Sequence, residues 1–229
     1  MNKILISDYD NTFYINDKDI EVNKQYLKEY LKNKNKFIIA TGRSFDDLIK
    51  EQEKYNFYYN YAILNHGATI IDNNKNIIEN INIEKSILKK LKETLRLKES
   101  EKYFCCNKKE SRLPFNNNIS KINIKYKDKQ TIKKVIKELN ENYKNYINVY
   151  YISTNCIEII SNKASKINAI KKLTTEDNKE NIYTIGDSYS DIEMIKEYNG
   201  YRMSNCIEEL KEITNNHVDS VSELIKILN

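Results

Sequence analysis

The sequence predicts an α/β fold, in which a doubly wound parallel sheet carries a smaller α+β module as an insertion. The first observation is that, near both ends of the 229-residue chain, short apolar runs alternate with stretches whose apolar residues recur at helical spacing. The second is a change of pattern between these regions, where strand-like and helix-like segments follow in the order of a separate α+β unit. We therefore predict a core of residues 1–80 and 162–229 and an inserted domain of residues 81–161.

The first third of the chain predicts a βαβ unit, a third strand and a hairpin. An apolar run starts at Ile4, apolar residues at helical spacing occupy residues 22–31, and residues 36–40 form the next apolar run. Residues 61–64 predict the third strand, and residues 69–78 predict a hairpin because an Asn-rich turn separates two apolar runs.

The remaining elements follow from the same patterns. For the insertion we predict a helix from residue 84, strands at residues 103–106 and 122–126, a helix through 135–139, and strands at 146–152 and 156–160. For the end of the chain we predict helices from Ser165 and Asp191, strands at 181–185 and 200–203, and helices after Asn205 and Ser220.

Composition argues against several classes of protein. The net charge is +5, and the lysines are spread along predicted helices, so we do not expect nucleic acid as the main partner. The apolar run before Asp8 is too short for a signal peptide, and no later run approaches a membrane span. We expect a cytoplasmic protein without a membrane partner, either a monomer or a homodimer.

The four cysteines lack the paired spacing of a zinc site. Adjacent Cys105 and Cys106 are interpreted as small apolar residues, with redox activity as the alternative. Residues 84–112 carry more basic than acidic side chains. This stretch is either a solvated helix face or a positively charged region that attracts an anionic substrate.

The first strand ends in an acidic stretch. Because side chains alternate along a strand, Asp8 and Asp10 are expected on the same side, close enough to share a cation or to divide nucleophilic and acid/base work. The alternative is a strand that ends in a solvated turn, since Asp, Asn and Thr are common turn residues.

The second strand ends in Thr41, Gly42, Arg43 and Ser44. Gly42 permits a tight turn, Ser44 can cap the following helix, and a hydroxyl, free backbone N–H groups and a guanidinium together suit a phosphate. A capped helix start with a surface arginine would give the same pattern.

Two further polar groups occur near the end of the chain. Lys166 begins a helix, where a cation is disfavoured unless it meets an anion, although an exposed lysine is the alternative. Asp187 ends a strand and Asp191 starts a helix four residues later, so both can face one crevice. Helix capping would explain why an aspartate stands at position 191, but it would not explain the aspartate at the strand end, Asp187.

Parallel strands place their carboxyl ends on one edge of the sheet, where α/β proteins hold their ligands. The side chains that we expect to converge there are Asp8, Asp10, Thr41, Arg43, Lys166, Asp187 and Asp191. Oxygen-rich sites of this kind suit Mg²⁺, which accepts a few carboxylates and keeps some waters.

The chain resembles the haloacid dehalogenase-like hydrolase superfamily, and specifically its Cof-type branch with a large inserted cap. The first motif of that family, DxDGT, resembles residues 8–12, and its second, a Thr or Ser ending a strand, resembles residues 40–43. The third, a Lys at a helix start, resembles residues 165–167, and the fourth, GDxxND, resembles residues 186–191. Asn205 lies in a stretch similar to the family's MGNA.

The departures from the family pattern are few. Asn11 replaces a Gly, which is tolerable because Asn adopts left-handed backbone conformations more readily than most residues. His66 stands where an Asn is expected, Ile167 replaces a Gly and Ser190 replaces the motif Asn. Because of His66 and Ser190, the family pattern does not determine how the substrate is contacted or which side chain supports Asp187.

The resemblance implies a Rossmann-like core and hydrolysis of a phosphate ester through an aspartyl-phosphate. Asp8 would be the nucleophile, Asp10 the acid/base, and Asp8, Asp187 and the backbone carbonyl of Asp10 would hold Mg²⁺. Thr41 and Lys166 would hold phosphoryl oxygens, and Asp191 would orient Lys166 or the metal site.

The substrate implied is a small phosphorylated metabolite, such as a sugar phosphate. The residues that we assign to its binding are Thr41, Gly42, Arg43, His66, Lys166 and Asn205. A phosphomutase, a phosphatase dedicated to one phosphosugar, and a non-catalytic phosphate-binding module are the alternatives.

Overall fold

The computed structural model describes residues 2–116 and 118–229. Its strands are β1 (Ile4–Ser7), β2 (Lys36–Ala40), β3 (Tyr61–Leu64), β4 (Thr69–Asp72), β5 (Ile77–Asn80), β6 (Ser100–Cys106), β7 (Lys121–Tyr126), β8 (Ile147–Ser153), β9 (Cys156–Ser161), β10 (Ile182–Gly186), β11 (Asn199–Met203) and β12 (His217–Val218). Its α-helices are α1 (Asp17–Lys32), α2 (Phe45–Tyr55), α3 (Lys85–Thr94), α4 (Lys129–Tyr143), α5 (Lys166–Leu173), α6 (Ile192–Glu197), α7 (Glu208–Ile213) and α8 (Val221–Leu228).

A large sheet organises the two ends of the chain. Its strand order is β12-β11-β10-β1-β2-β3-β4-β5, with parallel pairing from β12 to β3 and antiparallel pairing in the hairpin of β4 and β5. Alternation along β1 sends Leu5 into the core beneath α1, α2 and α8, and Ile4 and Ile6 into the core beneath α5, α6 and α7. Both faces are therefore covered by helices, which confirms the predicted α/β fold.

A second, antiparallel sheet has the strand order β6-β7-β9-β8. One face of it packs on α3 and α4, with Ile124, Ile157 and Leu139 in a separate hydrophobic core. We call α3, α4 and β6 to β9 the small-sheet unit. Because the side chains of a strand alternate, its other face is free to carry polar residues toward the large sheet. The division of the chain at residues 81 and 161 stays a prediction.

Our prediction of which α1 residues face the core is partly wrong. Val22, which we placed in the apolar stripe, is 36% exposed, whereas Ile20 and Asn23 are fully buried. Asn23 is accommodated because its Nδ2 donates to the Phe13 carbonyl and its Oδ1 accepts from the backbone N–H of Ser222. A buried amide thus ties α1 to α8 and occupies a core-facing position of the helix that the apolar pattern did not predict.

Two other sequence expectations concern surface and core chemistry. Cys105 and Cys106 are buried and free, and burial raises the pKa of each thiol to about 12, which fits their interpretation as small apolar residues. Within residues 2–116 and 118–229, no helix has the length and apolar character that crossing a membrane requires.

We predict that Gly67→Ala destabilises the fold by roughly 2–4 kcal/mol. Alanine disfavours the left-handed backbone conformation at this position, and its methyl group would overlap neighbouring atoms. Gly67 has φ +104°, and a Cβ there would lie 2.1 Å from the Ser165 carbonyl oxygen, at the start of α5. Urea unfolding measures the loss, with exposed Ser86→Ala as the control. Equal midpoints for the two variants would contradict this packing.

Candidate active site

The end of β1 places Asp8 at the carboxyl edge of the large sheet. The Asp8 backbone N–H donates to the Ile185 carbonyl at 2.9 Å, which continues the parallel pairing of β1 with β10 by one residue. The chain then turns through Asn11, whose φ of +58° confirms the expected left-handed conformation. The turn brings the Thr12 hydroxyl within 3.0 Å of Asp187 Oδ1, to which it donates.

Lys166 lies buried between two carboxylates. Ser165 caps α5 by accepting from the Asn168 backbone N–H, and the helix start directs Lys166 Nζ to Asp8 Oδ1 at 2.6 Å and Asp191 Oδ1 at 2.7 Å. Burial alone would lower the pKa of Lys166, but Asp191 and Asp8 outweigh it and raise the pKa above its usual value. Lys166 is therefore a fixed positive charge.

Asp191 holds this lysine and the loop that follows β10. Its Oδ2 accepts from the backbone N–H groups of Asp187 and Ser188, at 3.2 and 3.0 Å, and from the Ser188 hydroxyl at 2.8 Å. A Cβ on Gly186 would overlap the Asp191 carboxylate, so a glycine is needed for this close approach. Both oxygens of Asp191 are engaged, which suits a positioning residue.

Asp8 and Asp187 carry the negative charge that Lys166 leaves uncompensated. Burial, followed by repulsion from Asp191, raises the pKa of Asp187 to about 6. Burial also raises the pKa of Asp8, against the opposing effect of Lys166. Asp8, Asp187 and Asp191 offer oxygens within 4.8 Å of one another. Because Asp191 is already saturated, Asp8 and Asp187 are the carboxylates that fit a divalent cation.

Asp10 has a different partner from Asp8. Arg43 binds the Asp10 carboxylate with two groups, Nε at 2.9 Å from Oδ2 and Nη2 at 2.7 Å from Oδ1, while its Nη1 pairs with Glu51 at 3.0 Å. The guanidinium also lies over the Tyr9 ring. Asp10 is not part of the group of carboxylates formed by Asp8, Asp187 and Asp191, although both Asp8 and Asp10 border one cavity.

The turn after β2 presents a buried hydroxyl. Thr41 is held by its backbone N–H, which donates to the Ile63 carbonyl, and its Oγ1 accepts from the Arg43 backbone N–H at 3.1 Å. Ser44 stands at the start of α2, but our expectation of a side-chain cap is wrong. Its hydroxyl contacts the Asp46 and Asp47 carboxylates instead of a backbone N–H.

These groups meet at a cavity of about 350 Å³ between the large sheet and the small-sheet unit. The predicted residues that line it are Asp8, Asp10, Thr41, Gly42, Arg43, His66 and Asp187. Lys166 and Asp191 are not among the lining residues. Lys166 contacts Asp8, which lines the cavity, and Asp191 contacts Lys166. Asn205 is exposed and is not among the lining residues, so the structure does not bring it to this site.

The sequence reasoning missed the residues that the small-sheet unit contributes. Lys121, Tyr150 and Glu158 line the cavity from β7, β8 and β9. The signal available was the alternation of these strands, since Ile122 and Ile157 point into the hydrophobic core and their neighbours face the opposite side. Alternation identifies that face but not what lies opposite it.

Comparisons with known proteins agree on one family and one fold. A model of the haloacid dehalogenase-like hydrolase family matches residues 5–110 and 92–224. A protein of Buchnera aphidicola subsp. Baizongia pistaciae, named "Putative phosphatase", is 24% identical over 262 residues, which cover 97% of this chain and 96% of the relative.

Solved structures resemble the whole chain. A haloacid dehalogenase-like hydrolase from B. subtilis has a TM-score of 0.87 at 17% identity and covers 99% of this chain and 100% of that one. Another, from Bacteroides thetaiotaomicron, has a TM-score of 0.84 at 19% identity and covers 100% of both. At these identities the likeness concerns the fold.

We predict that Lys166→Met lowers the free energy of unfolding by about 3–5 kcal/mol near neutral pH, because it leaves two buried carboxylates unpaired. Lys163→Met is the matched control, since that lysine forms an exposed pair with Glu84 that is worth at most about 1 kcal/mol.

The deficit of Lys166→Met should shrink as the pH falls. Lys166 opposes the effect of burial on the pKa of Asp8, so its removal raises that pKa further, and a carboxyl with a more strongly raised pKa regains more stability when it is protonated. Urea unfolding from about pH 7 to about pH 5 measures the trend. A deficit that stays constant or grows on acidification would show that the buried carboxylates are not its cause.

Proposed function

The chain belongs to the haloacid dehalogenase-like hydrolases, and on that premise we propose that it is a magnesium-dependent phosphatase of small phosphorylated metabolites. The observation that carries the proposal is the pairing of a buried Lys166 with Asp8 beside the uncompensated Asp187. A divalent cation would offset the excess negative charge of these carboxylates, and the cation and Lys166 would together attract a phosphate ester. The name of the Buchnera relative supports the same activity.

Asp8 is the proposed nucleophile. Lys166 binds its Oδ1, so we assign Oδ2 as the atom that bonds to phosphorus while the bond from phosphorus to the alcohol oxygen breaks. A water then attacks the acyl phosphate, the new bond to phosphorus replaces the bond to Asp8, and the carboxylate is regenerated. Thr41 Oγ1 and Lys166 Nζ stabilise the negative charge of the phosphoryl oxygens.

Asp10 is the proposed acid and base. Asp10 would act as the acid when it is protonated on an oxygen that Arg43 releases; it gives that proton to the departing alcohol oxygen, and the carboxylate so formed later removes a proton from the attacking water. The bidentate contact with Arg43 supports a positioning role for that arginine, which fixes Asp10 at the cavity border. From the sequence alone, Arg43 was assigned to substrate binding and not to the positioning of Asp10.

The donor set supports magnesium at Asp8 and Asp187. When bound, the ion would act as a Lewis acid on the phosphoryl group and offset its charge. The backbone carbonyl of Asp10 remains the third proposed ligand, whereas the Asp10 side chain is held by Arg43.

The cavity supports a small substrate. Its volume of about 350 Å³ is near the lower end of the usual range for ligand pockets, roughly 300–1,000 Å³. Residues of the small-sheet unit line the same cavity as Asp8, which supports our proposal that residues 81–161 act as a cap that selects the alcohol part of the ester.

We predict that Mg²⁺ raises the melting temperature of the wild type and has a much smaller effect on Asp187→Asn. Because the pKa of Asp187 is raised from 3.8 to about 6, its ionisation costs the folded state up to about 3 kcal/mol as the pH rises through that range. In chelator near neutral pH, Asp187→Asn should therefore melt at a higher temperature than the wild type.

Differential scanning calorimetry with chelator or Mg²⁺ makes this measurement, and turnover in chelator should be abolished. Exposed Asp219→Asn is the control and should respond to Mg²⁺ as the wild type does. Equal gains from Mg²⁺ in Asp187→Asn and in the wild type, or full activity in excess chelator, would exclude Asp187 as a ligand of an essential ion.

We predict that Asp8→Asn and Asp10→Asn fail differently. The first removes the nucleophile and should abolish turnover, while the second removes proton transfer and should cost roughly 10²–10⁴-fold. With nitrophenyl phosphate, whose leaving group needs no proton, Asp10→Asn should release a burst of nitrophenolate before slow hydrolysis. Stopped-flow absorbance detects the burst. Substantial turnover by Asp8→Asn would refute the assignment.

A further inference from the structure

One edge of the sheet in the small-sheet unit is open and uncharged. Among the described residues, β8 pairs with β9 alone and is the last strand of that sheet. Residues 145–157, which contain β8, include no Asp, Glu, Lys or Arg, although these types make up 31% of the chain. A seven-residue edge strand without a charge or a proline is an open template for pairing with another strand.

The other sheet edges are protected. β12 has only two residues. β5 carries Glu79, which pairs with Lys172, and β6 carries Glu101 and Lys102. Short strands and charged side chains are devices by which natural sheets avoid pairing at their edges. β8 has neither device, so its chemistry favours a partner strand.

The backbone of β8 determines which groups are free for such a partner. The Asn162 N–H donates to the Tyr146 carbonyl at 3.0 Å, at the start of the pairing with β9. Because the direction of hydrogen bonding alternates along an antiparallel strand, the backbone groups of Ile147, Val149 and Tyr151 point away from β9. Their N–H and C=O groups therefore face the open edge.

Exposed apolar side chains lie along the same edge. Tyr146, Tyr151 and Ile152 are 48%, 56% and 51% exposed. Beside them, Ile132 and Ile136 of α4 line a groove of about 600 Å³ together with Tyr151. The lysines that also line this groove have long apolar stems, which can cover such a surface while their charges stay in water. Apolar surface thus continues from the free strand edge onto the neighbouring helix.

We propose that β8 pairs antiparallel with β8 of a second copy of this chain, around a two-fold axis at Val149. In this register Tyr151 lies opposite Ile147 of the second copy, and Ile152 lies opposite Tyr146 of the second copy. Each contact joins an aromatic and a β-branched residue, which is a favourable cross-strand pair, and no like charges face each other. Two sheets of four strands become one sheet of eight.

A second copy fits this edge because the edge is complementary to itself. A two-fold interface requires the same surface to serve as both partners, and here an exposed aromatic at one end meets an exposed β-branched residue at the other. The axis at Val149 is specific. An axis at Asn148 or at Tyr150 keeps the hydrogen-bonding direction but places Ile152 opposite Lys144 or opposite Asn148 of the second copy.

The pairing also reaches the cavity that contains Asp8. Ile152 lines that cavity, so Tyr146 of the second copy would stand at its border. One strand pair and the groove beside it form a smaller interface than the 1,200–2,000 Å² that is roughly usual for stable complexes, and we therefore expect a dissociation constant in the micromolar range.

Sedimentation velocity of the wild type from about 1 to about 300 µM protein measures this equilibrium. We expect the average mass to rise from that of one chain toward that of two. Hydrogen exchange at both ends of the range locates the contact, since amides in the β8 peptide should exchange at least about threefold more slowly in the dimer and those of β6 should not change. A monomer throughout the range, or a dimer without protection of β8, would overturn the proposal.

Variants test the register. Ile152→Glu and Tyr146→Lys each set a lone charge against an apolar residue of the second copy, and each should raise the dissociation constant at least about tenfold. The double variant should return to within about threefold of the wild type, because each introduced carboxylate faces an introduced ammonium. Within one chain the two positions lie about 20 Å apart along the strand, so this recovery requires the second copy.

The matched controls are Ile78→Glu on β5 and Tyr103→Lys on β6, which change exposed residues of protected edges. We expect both to dimerise like the wild type, and circular dichroism establishes that every variant is folded. Single variants at Tyr146 and Ile152 that dimerise like the wild type, or a folded double variant as weak as the single ones, would refute the proposed pairing.

Discussion

The structure depends on one electrostatic constraint, the burial of a single ammonium among three carboxylates at the edge of a parallel sheet. Lys166 neutralises Asp8 and Asp191 in part, and Asp191 is fixed by the loop after β10. Asp187 is left with a raised pKa. The fold therefore holds an excess of buried negative charge at this site, which a bound divalent cation would offset.

The part of the cavity lining that His66, Lys121 and Glu158 form has a different charge balance. Its charges are balanced within the protein, because Lys121 and Glu158 pair with each other and His66 is neutral. Lys121 and Glu158 come from strands whose apolar side chains fill the core of the small-sheet unit, whereas His66 follows β3 of the large sheet. The contact between His66 and Glu158 joins residues 92 positions apart in the chain. One part of the cavity lining thus carries excess negative charge, and another part is balanced within the protein.

The backbone was largely predictable from local patterns. Apolar periodicity located the strands that surround β1, and the chemistry of Asn11 predicted its left-handed turn, because both depend on neighbouring residues alone. The contacts of long side chains were not predictable in this way. Asp10 pairs with Arg43, Asn205 lies outside the cavity, and Asn23 occupies a core-facing position of α1. The environments of Asp10 and Asn23 depend on partners that are distant in sequence, which no local pattern specifies.

The central claim is that Asp8 carries the phosphoryl group during turnover. The most direct measurement is to quench the enzyme with acid during hydrolysis of a phosphate ester and to map its peptides by mass spectrometry. We expect one phosphate on the peptide that contains Asp8, released by hydroxylamine as an acyl phosphate is. A phosphate on any other residue would contradict the claim.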